Sequence, residues 1–344
     1  MTEKFFRIFF LLFTVFTLSA GEKYNFYMIS DTHFGTAESF SEKVTGSQRS
    51  RADKMMPLYR KLFAEMAKRA DGETAFIIHA GDLITGYAKD DLTQQKEFEK
   101  SIALLKEFFK FPIYYVRGNH EGAGGLNGYR KGLLPEISRT AGKELQVANY
   151  VVKRGEDVFI FADCYSKEWI SFIDKTLKEL KTSPRYLFVV IHSDVLIPFR
   201  DKAGKRIFQM LANYNSLILH GHTHCTVKLS QRVDGKTLTS FSVGTHISGK
   251  RAYPAEALTD FSKQLARICR QSGFERYPSK KAYFEKESLP HIAGFQDFSK
   301  NGFAQGYAGI YVSDDGVYAM IQGTDLKQMP IKVELLSAGK KADK

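Results

Sequence analysis

Residues 24–33 read Tyr-Asn-Phe-Tyr-Met-Ile-Ser-Asp-Thr-His. An apolar, β-rich run, Tyr24–Ser30, stops at an acid, and an imidazole follows two residues later. The same grammar returns four times. Ala75–Ala80 runs into Gly81-Asp82, Pro112–Val116 into Gly118-Asn119-His120, Leu187–Ile191 into His192, and Leu217–Leu219 into Gly221-His222 with His224 beyond. Each run predicts a buried strand with polar, metal-competent side chains at its carboxyl end. Loops at those ends converge on one crevice in α/β proteins. Five of the nine histidines stand at such ends, far more than scattered structural histidines would place there.

Working outward, the strands alternate with amphipathic stretches, the signature of layered α/β architecture. Met56–Ala70 carries a helical stripe through Leu58, Leu62, Phe63, Met66 and Ala67. A second stripe in Phe98–Phe109 passes through Ile102, Leu105 and Phe109, and Trp169–Leu180 predicts a third helix. Segment 122–148 reads as glycine-rich and irregular, and Tyr150–Val152 with Val158–Ala162 as a hairpin. Thr237–Val243, Gly309–Val312 and Val317–Ile321 read as strands completing a second sheet. His79 and His220 fall inside strand runs and are expected in the core. Cys225 reads as a buried strand residue rather than a ligand.

Composition bounds the classes. The 344 residues are 43% hydrophobic and 26% charged, which excludes a disordered or fibrous chain. Cys164, Cys225 and Cys269 allow at most one bridge and show no zinc-ribbon spacing. The net charge of +12 favours anionic partners such as nucleic acid or phospholipid, and equally describes a basic solvated surface. There is no Lys/Arg-rich block and no aromatic ladder of the RNA-binding kind. At the N-terminus, Lys4 and Arg7 precede the apolar run Ile8–Leu18, and Ser19-Ala20 leads to Gly21. This is the pattern of a signal peptide cut near Ala20. Its removal takes Glu3, Lys4 and Arg7 and leaves +11. A soluble protein secreted or exported to the periplasm is expected. No run reaches the roughly 20 apolar residues of a membrane span.

Imidazole, carboxylate and amide oxygen suit borderline ions such as Mn, Zn or Fe, divalent or trivalent. A carboxylate shared between two ions can hold them about 3.5–4 Å apart, the geometry of in-line phosphoryl displacement. Two divalent ions against two carboxylates and a hydroxide leave the centre positive, which favours an anionic phosphate over a neutral amide.

Taken in order, Asp31-Thr32-His33, Gly81-Asp82, Gly118-Asn119-His120-Glu121, His192 and Gly221-His222-Thr223-His224 resemble the ordered blocks of calcineurin-like metallophosphoesterases. The likeness spans roughly residues 24–245. It implies a four-layer α/β/β/α sandwich and a dinuclear metal centre. One metal would be bound by Asp31, His33, Asp82 and His224, the other by Asp82, Asn119, His192 and His222. A metal-bridging hydroxide would attack phosphorus, with His120 as the acid that protonates the leaving oxygen. Glu121 would orient His120 or be a surface loop carboxylate. Arg117 would hold a phosphoryl oxygen or face solvent at a strand end. Arg117–Glu121 also resembles the RGNHE block of protein serine/threonine phosphatases, but the second block lacks their Asp-Arg-Gly. Thr85 stands where purple acid phosphatases carry a metal-binding tyrosine, so an iron–tyrosinate is not expected.

The expected organisation is a signal peptide at 1–20 and a catalytic core at 21–248. An insertion or lid follows at 249–305, then closing strands and a flexible tail at 306–344. Loops 34–57, 122–148 and 246–305 are expected to wall the crevice. They carry Arg49, Arg51, Tyr129, Arg130, Lys250, Arg251 and Tyr253, suited to a nucleotide or sugar phosphate. His246 reads as a loop residue or a neighbour of the site. The alternatives are an extracellular nuclease or nucleic-acid-binding phosphodiesterase, and a non-catalytic metal- or phosphate-binding protein.

Overall fold

The computed structural model describes residues 21–35, 46–123, 125–193, 202–233, 235–245, 292–298, 306–326 and 329–337. Residues 1–20, His246, Lys250, Arg251, Tyr253, Cys269 and the 340–344 tail lie outside them, as do the side chains of Arg49 and Arg51. The elements run β1 (Tyr24–Ile29), α1 (Gly46–Arg69), β2 (Thr74–His79), α2 (Asp91–Phe108), β3 (Ile113–Tyr115), α3 (His120–Ala123), α4 (Leu126–Gly132) and α5 (Leu134–Ala141). Next come β4 (Tyr150–Arg154), β5 (Asp157–Phe161), α6 (Trp169–Glu179), β6 (Leu187–Val190), α7 (Lys202–Leu211) and β7 (Ser216–His220). The chain closes with β8 (Val227–Val233), β9 (Lys236–Ser242), β10 (Ile292–Asp297), β11 (Gly306–Ser313), β12 (Gly316–Gly323) and β13 (Ile331–Ser337).

They form a six-stranded sheet, β13-β12-β11-β1-β2-β3, and a seven-stranded sheet, β10-β8-β9-β7-β6-β5-β4. The parallel centres, β1–β2–β3 and β5–β6–β7–β9, set the strand ends that carry the polar blocks side by side. Strand alternation fixes the layering. Phe159, Phe161, Phe188, Val190, Leu217 and Leu219 face the core shared with the first sheet. Their neighbours Val158, Ile160, Leu187, Val189 and Ile218 pack under α6 and α7, with Ile173, Leu177, Ile207, Phe208 and Leu211. Strands covered on both faces must be apolar throughout, which is how these read in the sequence. Between the sheets lies an aromatic contact: Phe26 stacks on Phe76 at 4.9 Å and meets Phe159 and Phe188 edge-on at 5.5 and 5.9 Å. On the other flank α1 and α2 add Tyr59, Leu62, Phe63, Phe98 and Leu105 to the core. The architecture is the four-layer α/β/β/α sandwich.

Four expectations are corrected. Segment 122–148 is not irregular: it holds α4 and α5, with Tyr129, Leu134 and Ile137 buried. Pro135 in the first turn of α5 and Gly142 in left-handed conformation after it are ordinary helix punctuation. The strands at Gly309–Val312 and Val317–Ile321 join the first sheet, not the second, because β11 pairs antiparallel with β1 (Tyr24 opposite Val312). The first two helices also start earlier than expected, α1 at Gly46 and α2 at Asp91, where Asp90 caps the Thr93 amide. Cys225 is buried, as expected, but in the bend before β8 rather than in a strand.

The inter-sheet aromatic contact can be tested directly. Phe188→Ala should lower unfolding free energy by about 3–5 kcal/mol in a denaturant titration. Met329→Ala, at an exposed side chain, should stay within about 0.5 kcal/mol.

Candidate metal centre

The two sheets bring all the sequence-picked donors to one end of the parallel strands. The loops after β1 and β2 run together beyond the sheet: the amides of Asp31, His33 and Phe34 donate to the carbonyls of Gly81, Asp82 and Leu83 at 2.9, 3.0 and 2.8 Å. The chain must then turn sharply to aim its side chains inward. Among the described residues, five non-glycine residues have positive φ: Asp31, His33, Asp82, His222 and His224. Every one belongs to the predicted ligand set. Left-handed backbone costs an L-residue roughly 1–2 kcal/mol, and such strain concentrates where function demands it. Gly118 meets the same constraint from outside, since a Cβ there would overlap Asp82 Oδ1 and the Asp82 amide.

Asp82 is the hub. Its Oδ1 accepts from the His120 amide at 2.9 Å. Its Oδ2 faces Nε2 of His192, His33 and His120 at 3.2, 3.8 and 3.9 Å. Two groups of donors result, Asp31/His33/Asp82/His224 and Asp82/His192/His222, each with ligand atoms within 4.8 Å of one another. Asn119 joins the second, its Oδ1 2.9 Å from His222 Nδ1 and 3.2 Å from His192 Nε2. In the first, His33 Nε2 lies 3.1 Å from His224 Nε2, and His224 Nε2 3.3 Å from Asp31 Oδ1. The His222 amide donates to both Asp31 oxygens at 3.1 and 3.0 Å, and His192 Nδ1 donates to the Ala80 carbonyl at 2.8 Å. The latter bond turns His192 Nε2 toward Asp82.

The electrostatics show what this cluster attracts. Burial disfavours charge on His192, yet Asp82 and then Asp31 outweigh it and push its pKa up to about 10. Burial also raises the pKa values of Asp31 and Asp82, but histidine neighbours prevail: His224 holds Asp31, and His192 holds Asp82, well below the usual carboxylate range. His222 reaches the surface, yet desolvation by the residues packed around it, and then the charge of His192, push it down to about 4. The site thus draws positive charge to two buried carboxylates. A donor set of oxygen and nitrogen with a shared carboxylate fits a pair of hard-to-borderline ions.

Two side chains differ from expectation. Glu121 does not orient His120, and it is not a surface carboxylate, being 0% exposed. Its carboxylate accepts from the amides of Asp82 (3.0 Å), Leu83 (2.7 Å) and Gly118 (2.5 Å), pinning the Asp82 loop to the Asn119 loop. Burial and the Asp82 charge raise its pKa to about 7. The His120 ring is instead fixed by Nδ1, which bonds the Thr85 carbonyl. Arg117 does not face solvent: its Nε donates to Asp163 at 3.1 Å, and its guanidinium lies 5.6 Å from the centroids of both Tyr129 and Tyr165. His79 and His220 are buried, as expected of core histidines.

Tyr165 lies outside the five sequence blocks. Its hydroxyl lies 3.4 Å from Asn119 Oδ1 and its ring 6.2 Å from His192, with the side chain 40% exposed. Asp163-Cys164-Tyr165 follows the end of β5, so the strand-end rule that found the other blocks also covers it. Tyr87, 42% exposed, sets its ring against His120 at 5.6 Å.

Stacked sheets whose strand ends gather two donor groups around a shared carboxylate form a candidate dinuclear metal centre. The sequence model of the calcineurin-like phosphoesterase family matches residues 24–226, and the chain belongs to that family. It is a phosphoric ester hydrolase. A dimetal phosphatase from Danio rerio shares the fold, with a TM-score of 0.52 at 12% identity over 91% of this chain and 99% of that one. GAP50, the anchor in the inner membrane complex of Plasmodium, gives 0.49 at 14% identity over 93% and 90%. A 5'-nucleotidase from Candida albicans SC5314 gives 0.40 at 14% identity over 64% and 45%. No curated protein matches the chain in sequence.

Two outcomes are expected. Glu121→Gln replaces an acceptor oxygen by NH₂ and strands at least one buried amide, so stability should fall by about 1–3 kcal/mol. Metal affinity should fall with it, read by chelator competition, while the pH–rate limb assigned to His120 stays in place. Second, the raised His192 pKa stabilises the metal-free fold fully below about pH 6.5, and that contribution is lost as pH rises through about 10. The metal-free melting temperature should therefore decline between pH 7 and 10. Titrating Mn(II) at pH 8 should release about one proton, measured calorimetrically in buffers of different ionisation enthalpy.

Proposed function

We propose that the protein is an exported dimetal phosphoester hydrolase in which His120 is the general acid. The observation that carries this reading is that His120 belongs to neither donor group yet stands beside both, its Nε2 3.9 Å from Asp82 Oδ2 and its ring 4.4 Å from that of His33. Asp31, His33, Asp82 and His224 would hold one ion, and Asp82, Asn119, His192 and His222 the other. Bound there, the ions would neutralise phosphoryl charge and lower the pKa of a coordinated water.

The chain's own contribution is positional. Nδ1 of His120, bonded to the Thr85 carbonyl, leaves Nε2 as the nitrogen that carries a proton toward the leaving oxygen. Glu121 holds the Asp82 and Asn119 loops in one register through their amides. Arg117, committed to Asp163 and two tyrosine rings, acts as a positioning residue for the Tyr165 loop rather than as a phosphoryl ligand. Half-exposed Tyr87 and Tyr165 suit an ester with an aromatic or nucleoside leaving group. Export rests on Lys4, Arg7 and the apolar run to Leu18. No helix among the described residues is long and apolar enough to cross a membrane.

The test is hydrolysis of p-nitrophenyl phosphate, bis-p-nitrophenyl phosphate and a nucleoside monophosphate by the metal-loaded protein, with bound metal quantified. His120→Ala should keep both ions and lose about 10²–10⁴-fold in kcat, and Asp82→Ala should lose the metal pair. Two ions retained in Asp82→Ala, or none retained in His120→Ala, would overturn the assignment. Two ions with no turnover of any ester would favour a binding protein. Salt-sensitive affinity for DNA or RNA would favour a nuclease.

A further inference from the structure

The other end of β1 is fastened as deliberately as the end that bears Asp31. The Gly21 nitrogen donates to Asp314 Oδ2 at 2.8 Å, across 293 residues, in the turn between β11 and β12. Asp314 Oδ1 accepts from Arg185 Nη1 at 2.7 Å. Arg185 is shared: it also pairs with the fully buried Asp157 at 2.6 and 3.0 Å and donates to the Glu22 carbonyl at 2.9 Å. Tyr24 closes the circuit through its hydroxyl, 2.9 Å from Asp157 Oδ2, and Arg154 pairs with the Glu22 carboxylate at 2.5 Å. Glycine at position 21 lets the Asp314 carboxylate and the Arg185 guanidinium close over it, since a Cβ there would push those two side-chain ends aside. In the sequence, this glycine directly follows Ser19-Ala20 at the end of the apolar run.

From this coincidence of a small-residue boundary and a carboxylate already on the next nitrogen, we propose that Ala20–Gly21 is a processing site and that Asp314 receives the α-ammonium created there. Hydrolysis by a signal peptidase adds one water across the bond, leaving a carboxylate on Ala20 and an ammonium on Gly21, with the enzyme regenerated. The nitrogen keeps its place. What changes is its chemistry: one neutral N–H donor becomes a cation with three, and the bond to Asp314 becomes charge-assisted. The mature start of β1 is thereby tied to the β11–β12 turn, next to the strand that β1 pairs with. Cleavage elsewhere would put a substituent on that nitrogen or remove the residue that fits.

The groups facing the amine are Asp314 from the turn, Arg185 and Asp157 beneath it, and Glu22 with Arg154 beside it. The nearest is the carboxylate, so the amine's pKa should exceed the ordinary α-amino value of about 7.7–8.0. The sign follows: the added stability is complete below about pH 8 and disappears as pH rises through the folded-state value. Asp314 is 51% exposed, which keeps the effect on melting temperature to about 1–2 °C.

The inference goes beyond the hydrolase reading and does not depend on the metal centre, although it shares that reading's export. The full chain would be expressed through both a bacterial and a eukaryotic secretory route, and the recovered protein sequenced from its N-terminus. Gly21 as first residue is expected. A different first residue, or residues 1–20 retained from both routes, overturns the processing site. In parallel, protein released from a cleavable fusion to begin at Gly21 would have its α-amine ¹³C-methylated and titrated by NMR. The amine should titrate above about 8, and Asp314→Asn should return it to the ordinary range. An identical pKa in Asp314→Asn overturns the docking. Ester hydrolysis should be unchanged in Asp314→Asn, which separates this result from failure of the hydrolase assignment.

Discussion

The Asp82 carboxylate is the point on which the rest of this structure depends. It is the one group common to both donor sets, it is buried, and its two oxygens have different tasks. Oδ1 is occupied by the His120 amide, so Oδ2 is left to the imidazoles of His33 and His192. An isolated carboxylate at that depth would be protonated, because burial disfavours its charge. Here the surrounding histidines reverse the sign. Holding a charge in such a place requires that nothing around it can relax. The three amide bonds from Glu121 to the Asp82 and Gly118 segments supply that rigidity, and the stacked aromatic core between the sheets supplies it at larger scale.

The left-handed backbone at Asp31, His33, Asp82, His222 and His224 is the local expression of the same demand. The left-handed residues turn the chain sharply where it leaves each strand. Asp31 and His33 thereby join the same donor group, while His222 and His224, two residues apart, serve the two adjoining groups from one short turn. The strain is tolerated because parallel strands buried on both faces leave the chain no cheaper route.

Much of this was legible in the sequence, and the reason is specific. The strand-end blocks declare themselves because packing alone gives a buried apolar run no reason to end in Asp, Asn or His, and every residue so identified lies at the centre. What was hidden is what depends on long-range partners. Nothing near Gly309–Val312 says that it pairs with β1 rather than with the second sheet. Glu121 beside His120 suggests a partner next door, whereas its carboxylate folds back to amides 3, 38 and 39 residues away. Arg117 at a strand end looks solvated until Asp163, Tyr129 and Tyr165 arrive from two other segments to cover it. The helices α4 and α5 are hidden for a different reason: the glycines at 122, 124 and 125 give the start of the segment an irregular composition, while the helix punctuation, Pro135 and Gly142 around Ile137, stands just beyond.

The two ends of β1 belong to one design problem. A centre built from side chains on several separate loops is only as accurate as the strands beneath it, and β1 carries two of the donors, Asp31 and His33, directly off its carboxyl end. β1 is also the seam of its sheet: it pairs parallel with β2 on one side and antiparallel with β11 on the other. A slip of one residue along that seam would turn every core-facing side chain to the opposite face and carry Asp31 out of reach of His224. The shared Phe26 contact opposes such a slip at mid-strand. The Gly21–Asp314–Arg185–Asp157 chain opposes it at the start, where no helix or turn precedes the strand among the described residues. Ligand geometry at the near end rests on the register of β1, which the pairings with β2 and β11 and the Phe26 contact hold on their own; the Gly21–Asp314 bond supplements them at the start of the strand.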